Sequence, residues 1–141
     1  MNQPELIREM LTTGRTIAVI GLSDDPMKPS HSVSRYMQSV GYKIIPVNPS
    51  ITEALGEKAY AKLADLLEPP DIVNVFRPPK FITAIVDEMI ALGLKNLWVQ
   101  LGIVNEEAAA KAEAAGIRVV MDRCILVEHQ KLAHQQEAVG A

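Results

Sequence analysis

The sequence predicts an α/β fold, a doubly wound parallel sheet in three α/β/α layers, and three observations predict it. Short aliphatic runs alternate with segments of helical spacing along 141 residues, the pattern of βαβ units with parallel strands and right-handed crossovers. Hydrophobic residues make up 48% of the chain but aromatics only 4%, so the core is built from Val, Ile, Leu and Ala, as in sheets covered on both faces. Finally, the length suits one domain, and no repeat, linker or low-complexity block divides residues 1–141.

The elements follow in order. Pro4 to Thr13 reads as a helix, with Leu6, Ile7, Met10 and Leu11 on one face and Gly14 as its stop. Thr16 to Ile20 is a β-rich run that ends in a loop carrying Gly21, Ser23, Asp24, Asp25, Pro26 and Pro29. A helix is expected from about Ser32, with Ser30 or Ser32 as its cap, and Gly41 ends it. Tyr42 to Val47 forms the second strand, closed by Asn48-Pro49.

Between Ser50 and Leu67 the pattern supports only a short strand near Ala59-Tyr60 and a helical turn carrying Leu63, Leu66 and Leu67. Asp71 to Phe76 is a strand and Pro79 to Leu92 a helix, whose Phe81, Ile82, Ile85, Val86, Met89 and Ile90 share one face. Leu97 to Leu101 is the next strand. Asn105 is placed to cap an Ala-rich helix with Glu106 and Glu107 in its first turn. Ile117 to Met121 is the last strand, and beyond Cys124 a few apolar residues lead into a polar tail, frayed from about Gln135.

In open parallel sheets ligands bind beyond the carboxyl ends of the strands, which directs attention to five loops. The first, Gly21 to His31, follows a strand and opens a helix, the arrangement that aims backbone N–H groups and the helix dipole at a phosphate. Gly21 permits close approach, Ser23 and Ser30 add hydroxyls, and Lys28 adds positive charge. The full G-x-G-x-x-G fingerprint is absent. An acid about 20 residues on, which would hold the ribose of NAD, is also absent: Asn48, Pro49 and Ser50 stand there instead.

In the third loop Arg77 follows Phe76 and precedes two prolines, where its planar fork suits a diphosphate or an adenine. Gln100 ends the fourth strand with an amide, and Gly102 serves the turn after it. Cys124, with no activating partner in sequence, reads as a structural thiol. His31, His129 and His134 are too scattered for a triad or a metal set. No catalytic constellation emerges.

Several partners are excluded on composition. The formal net charge is −3 and no basic stripe occurs, which argues against nucleic acid. The apolar stretch from Phe81 to Val104 is broken by Asp87, Glu88, Gly93, Lys95 and Asn96, short of the ~20 apolar residues of a membrane span. A single cysteine and a first segment without an apolar leader fit a cytoplasmic protein.

Taken in order, Gly21-Leu22-Ser23, Pro26, Lys28-Pro29-Ser30, Gly41-Tyr42 and Pro46-Val47-Asn48-Pro49 resemble the small stand-alone CoA-binding domain proteins. Asp71-Ile72-Val73, Val75-Phe76-Arg77, Trp98 to Gly102 and Met121 to Cys124 continue the likeness. That family is similar to the N-terminal CoA-binding domain of the succinyl-CoA synthetase α subunit, so a Rossmann-like sheet is implied. The resemblance also implies a binding site for coenzyme A or an acyl-CoA. In it Gly21, Leu22 and Ser23 contact the diphosphate; Asn48, Pro49, Phe76, Arg77 and Pro78 border the nucleotide; and Gln100 and Gly102 lie toward the pantetheine.

One departure is Ile51, where the synthetase domain carries a lysine; Lys28 or Arg77 is the expected substitute. The synthetase's phosphohistidine domain has no counterpart here, so a CoA binder without catalytic activity of its own is expected. An NAD(P)-sensing regulatory domain, or a subunit completing an acyl-CoA ligase in trans, are the alternatives.

Overall fold

The computed structural model describes residues 1–140, with side chains described through Gln135. The chain opens with helix α1 (Gln3–Thr13), whose first turn is fixed by Asn2: its side-chain oxygen accepts the Glu5 N–H at 2.9 Å. Strand β1 (Thr16–Ile20), helix α2 (Pro29–Ser39) and strand β2 (Lys43–Val47) follow. A small hairpin comes next, β3 (Glu53–Ala54) and β4 (Glu57–Lys58). Leu55 and Gly56 form its two-residue turn, both at positive φ, as the hairpin twist requires. Beyond it lie β5 (Ile72–Val75), α3 (Ile82–Leu92), β6 (Asn96–Val99), α4 (Glu106–Ala114), β7 (Arg118–Met121) and α5 (Ile125–Gly140).

The main sheet has the order β2-β1-β5-β6-β7, and every pair in it is parallel. Outside β2, Tyr60 makes one parallel bridge to Val47. Its N–H donates to Pro46 O at 3.0 Å and its carbonyl accepts the Asn48 N–H at 2.8 Å. This stub stands where a further strand would be, so the order reads as a Rossmann-like sheet with β1 central. The winding reverses between β1 and β5, the crevice in which such sheets bind ligands.

Alternation along the strands sorts the core into two layers. Ile17, Val19, Ile72, Trp98 and Val120 pack on one face with Leu6, Met10, Val33, Met37 and Ile125 of α1, α2 and α5. Ala18, Val73, Val75, Leu97, Val99 and Val119 pack on the other with Ile82, Val86, Met89, Ala108 and Ala112 of α3 and α4. The expected α/β/α layers are therefore present. Trp98 is fully buried, and its indole N–H is satisfied by Arg123 O at 2.9 Å.

Three expectations need correction. Helix α2 begins at Pro29 rather than about Ser32, because a proline in the first turn has no N–H to leave unsatisfied. Neither Ser30 nor Ser32 caps it; Lys28 holds that position without a side-chain bond, and Ser30 Oγ accepts the Ser23 N–H instead. The segment after Cys124 is helix α5, not a polar tail. Ile125, His129 and Leu132 stand at i, i+4 and i+7, and His129 packs edge-on to Tyr36 and Tyr42. The expected fraying from about Gln135 concerns residues whose side chains lie outside those described.

Candidate functional site

At the carboxyl ends of the strands, backbone bonds lace the loops together. The Gly21 N–H donates to Val47 O at 2.9 Å and the Phe76 N–H to Ile20 O at 2.9 Å. Gly21 sits at φ +89°, and a Cβ there would lie 2.8 Å from the Phe76 carbonyl oxygen and 3.2 Å from Arg77 Cδ. The glycine is thus demanded by its neighbour strand's loop. Gly21 and Phe76 form a crest over the switch point between β1 and β5.

Two cavities flank this crest, one on each side of the sheet. The first, about 250 Å³, opens between β2 and α3 and is bordered by Gly21, Asn48, Ser50, Lys62, Arg77 and Glu88. The second, about 300 Å³, is bordered by Val33, Phe76, Gln100, Leu101, Ile103 and Cys124. The first is charged and the second mostly apolar. A third depression of about 290 Å³ lies along the outer edge of β2, by Lys43, Lys58 and Leu67, away from the strand ends. The first two occupy the place where this sheet type holds ligands.

In the first cavity Arg77 is exposed, and its guanidinium carbon lies 4.1 Å from the centroid of the Phe81 ring. This stacking preorients the fork while leaving its N–H groups to solvent. Asn48 braces the floor: its Nδ2 donates to Leu22 O at 3.0 Å and its Oδ1 accepts the Ser50 N–H at 2.9 Å. Pro49 borders the same cavity. Glu88, half-buried on α3, is its carboxylate and an acceptor for amino or hydroxyl hydrogens.

The loop from Gly21 to Ser30 differs from the open phosphate cradle the sequence suggests, because it satisfies most of its own donors. Ser23 N–H donates to Ser30 Oγ at 3.0 Å, Asp25 N–H to Ser23 Oγ at 3.0 Å, and Met27 N–H to Asp25 Oδ1 at 2.9 Å. Both serine hydroxyls are engaged as acceptors and retain only their own O–H to offer. The Leu22 side chain is fully buried in the core, so only its backbone faces the site. Lys28 is exposed and borders neither cavity; Lys62 is the lysine that does.

On the other side, Gln100 is 6% exposed. Its Oε1 accepts from Asn74 Nδ2 and from the Ile125 N–H, each at 3.4 Å. The backbone donor fixes which end of the amide is oxygen, and Nε2 makes no hydrogen bond among the described residues. Gly102 lies outside: its N–H donates to Asp122 Oδ1 at 2.7 Å, tying the last two strand-end loops together. Asp122 takes φ +61° to do so. Pro78 is exposed beside the first cavity's arginine and borders neither cavity.

Of the residues expected from sequence, Gly21, Asn48, Pro49 and Arg77 meet at one cavity and Phe76 and Gln100 at the other. Sequence reasoning missed Ser50, Lys62 and Glu88; Cys124, by default a structural thiol in the sequence, is half-buried at the second cavity. The Ala59-Tyr60 strand was the available signal for Lys62. Once Tyr60 pairs with β2, the next residues must emerge at the strand's carboxyl end.

The chain is 47% identical to the uncharacterized protein YneT of Bacillus subtilis over 87% of its own length and 91% of that protein's. A solved structure from Thermus thermophilus superposes with a TM-score of 0.88 at 44% identity, covering 94% of this chain and 99% of that one. An ADP-forming acetate–CoA ligase α subunit of Pyrococcus furiosus is 29% identical over 79% of this chain, which spans 27% of that subunit. The model of the CoA binding domain family matches residues 15–130, and the chain belongs to that family.

Proposed function

We propose that the chain binds coenzyme A, or an acyl-CoA, across the Gly21–Phe76 crest and has no catalytic activity of its own. The observation that carries this is the pairing of a charged and an apolar cavity on the two sides of that crest. A molecule with a phosphorylated nucleotide at one end and a pantetheine arm at the other matches it. In this reading Arg77 and Lys62 meet the phosphates, Glu88 and Ser50 meet adenine or ribose, and the arm passes Phe76 toward Gln100. The Leu22 and Asp24 N–H groups have no acceptor among the described residues and supply the remaining donors.

The absence of an acid after β2 favours this cofactor over NAD, whose ribose is held by one. The likeness to a ligase α subunit supports a second reading, in which the domain completes a CoA ligase in trans; co-purification of a ligase-type partner would favour it. A cytoplasmic location suits the single unpaired cysteine. Titration calorimetry of the folded protein with CoA, dephospho-CoA and NAD tests the proposal. CoA is expected to bind and NAD to bind more weakly; no heat with CoA at millimolar concentration would overturn the reading.

A further inference from the structure

We infer that a cavity between α1 and α5 is a second ligand site, suited to a small dicarboxylate and separate from the strand-end cavities. It encloses about 260 Å³ and shares no bordering residue with either of them. That volume lies below the roughly 300 Å³ at which pockets for drug-sized ligands begin, so it fits a smaller molecule. The inference stands independently of the CoA reading.

Three cations border this cavity: Arg8 from α1, Arg123 from the turn before α5, and Lys131 from α5. One carboxylate, Glu128, borders it with them. Glu128 is the anchor. It is only 9% exposed, and a carboxylate removed from water to that degree requires partners. Its Oε2 lies 3.2 Å from Lys131 Nζ, one turn on along α5, and its Oε1 lies 3.7 Å from Arg123 Nη1. Glu128 thereby holds two cations at one wall. The Arg123 contact is longer than a hydrogen bond, so the guanidinium keeps its N–H groups for another acceptor. Arg8 is exposed, and its guanidinium has no partner among the described residues. The next carboxylate along α1, Glu9, is committed to Arg118 of β7.

Charge and lining together define the occupant. Three cations against one carboxylate leave the cavity an excess of two positive charges, in a chain whose formal net charge is −3. Charges of one sign around a concave surface focus the field and concentrate counter-ions there. A dianion neutralises the excess. Guanidinium forks match carboxylates in paired, parallel hydrogen bonds. Pro4, Ile7 and Leu132 add apolar wall, which favours a ligand with a hydrocarbon body over a bare inorganic anion. A dicarboxylate with a short carbon chain meets all of these conditions.

The test titrates the isotope-labelled full chain with glutarate and follows the amide shifts. It is repeated with pentanoate, the monoanion of equal chain length, and with inorganic phosphate. Glutarate is expected to bind at millimolar concentration or below, with the largest shifts at Arg8, Arg123, Glu128 and Lys131. Pentanoate should bind about tenfold more weakly or worse, for want of one charge-assisted pair, and phosphate should also bind more weakly than glutarate. Arg8→Gln should weaken glutarate by about the same factor and leave the melting temperature unchanged, since that side chain holds no partner. Saturating CoA should not change the glutarate affinity. Absence of shifts along α1 and α5, equal binding of pentanoate, or an unaffected Arg8→Gln overturns the site. Phosphate binding as tightly as glutarate overturns the dicarboxylate assignment, and competition by CoA overturns the separation of the two sites. Failure of CoA to bind would sink the CoA reading alone.

Discussion

Gly21 and Phe76 are in backbone contact across the switch point: a side chain on the first would meet the carbonyl oxygen of the second at 2.8 Å. This contact sets the height of the crest between the two cavities. Gly21→Ala combines a left-handed backbone strain with a clash against an immobile carbonyl. A loss of about 2–4 kcal/mol in unfolding free energy is expected by urea denaturation, along with weaker CoA binding. A variant as stable as the parent would show that the crest can yield.

The charged cavity separates two lysines that the sequence could not rank. Arg77→Ala and Lys62→Ala should each weaken CoA by about 1–3 kcal/mol, the worth of a charge-assisted bond to phosphate. Lys28→Ala should change affinity by less than about 0.5 kcal/mol, as a surface charge away from the cavities does. Calorimetry on the three variants checks the order. A larger effect at Lys28 than at Lys62 would place the phosphates over the β1–α2 loop instead.

Strand β1 was legible as an unbroken aliphatic run, and helix α3 because its apolar spacing obeys one period without interruption. Helix α5 was not. The position that continues the apolar stripe between Ile125 and Leu132 is His129, a polar letter whose half-buried ring packs edge-on against two tyrosines contributed by distant segments. The site shows the same limit. Arg77 and Asn48 stand directly at strand ends and could be placed from the strands alone. Lys62 and Glu88 reach the cavity through the Tyr60 bridge and the seating of α3, which no local pattern encodes. The N–H groups of the Gly21–Ser30 loop looked available because sequence does not disclose that Ser23, Asp25 and Ser30 would bond them internally.

The His129 cluster makes stability depend on pH. Its Nδ1 lies 2.8 Å from Tyr36 Oη, and burial lowers its pKa from the ordinary histidine value. The unfolded chain then binds this proton more readily than the folded one. Stability should therefore fall with acid from about pH 6.5 down through the lowered folded value. His129→Gln should flatten that part of the profile, read as urea midpoint against pH. An unchanged slope would assign the acid sensitivity elsewhere.

At the opposite end of the sheet Asp71 ties β5 to β1. Its Oδ2 accepts the N–H groups of Arg15 at 2.7 Å and Thr16 at 3.0 Å. Burial works against its charge, but these bonds, with the Thr16 hydroxyl and the Arg15 charge, outweigh it and hold the carboxyl below its usual range. The stability it contributes is present above the unfolded value, near pH 4, and is lost as pH falls through the lowered folded one. Asp71→Asn should cost about 1 kcal/mol at neutral pH, since the amide still accepts but without charge. It should leave CoA affinity unchanged, and calorimetry beside denaturation checks both.

The central claim is that one ligand spans both cavities over the Gly21–Phe76 crest. Amide chemical-shift mapping during a CoA titration of the isotope-labelled protein tests it most directly. The largest shifts should fall together on Gly21, Ser50, Lys62 and Arg77 on one side and on Gln100, Leu101 and Cys124 on the other. Shifts confined to one side, or centred on Lys43, Lys58 and Leu67 at the outer edge of β2, would contradict it.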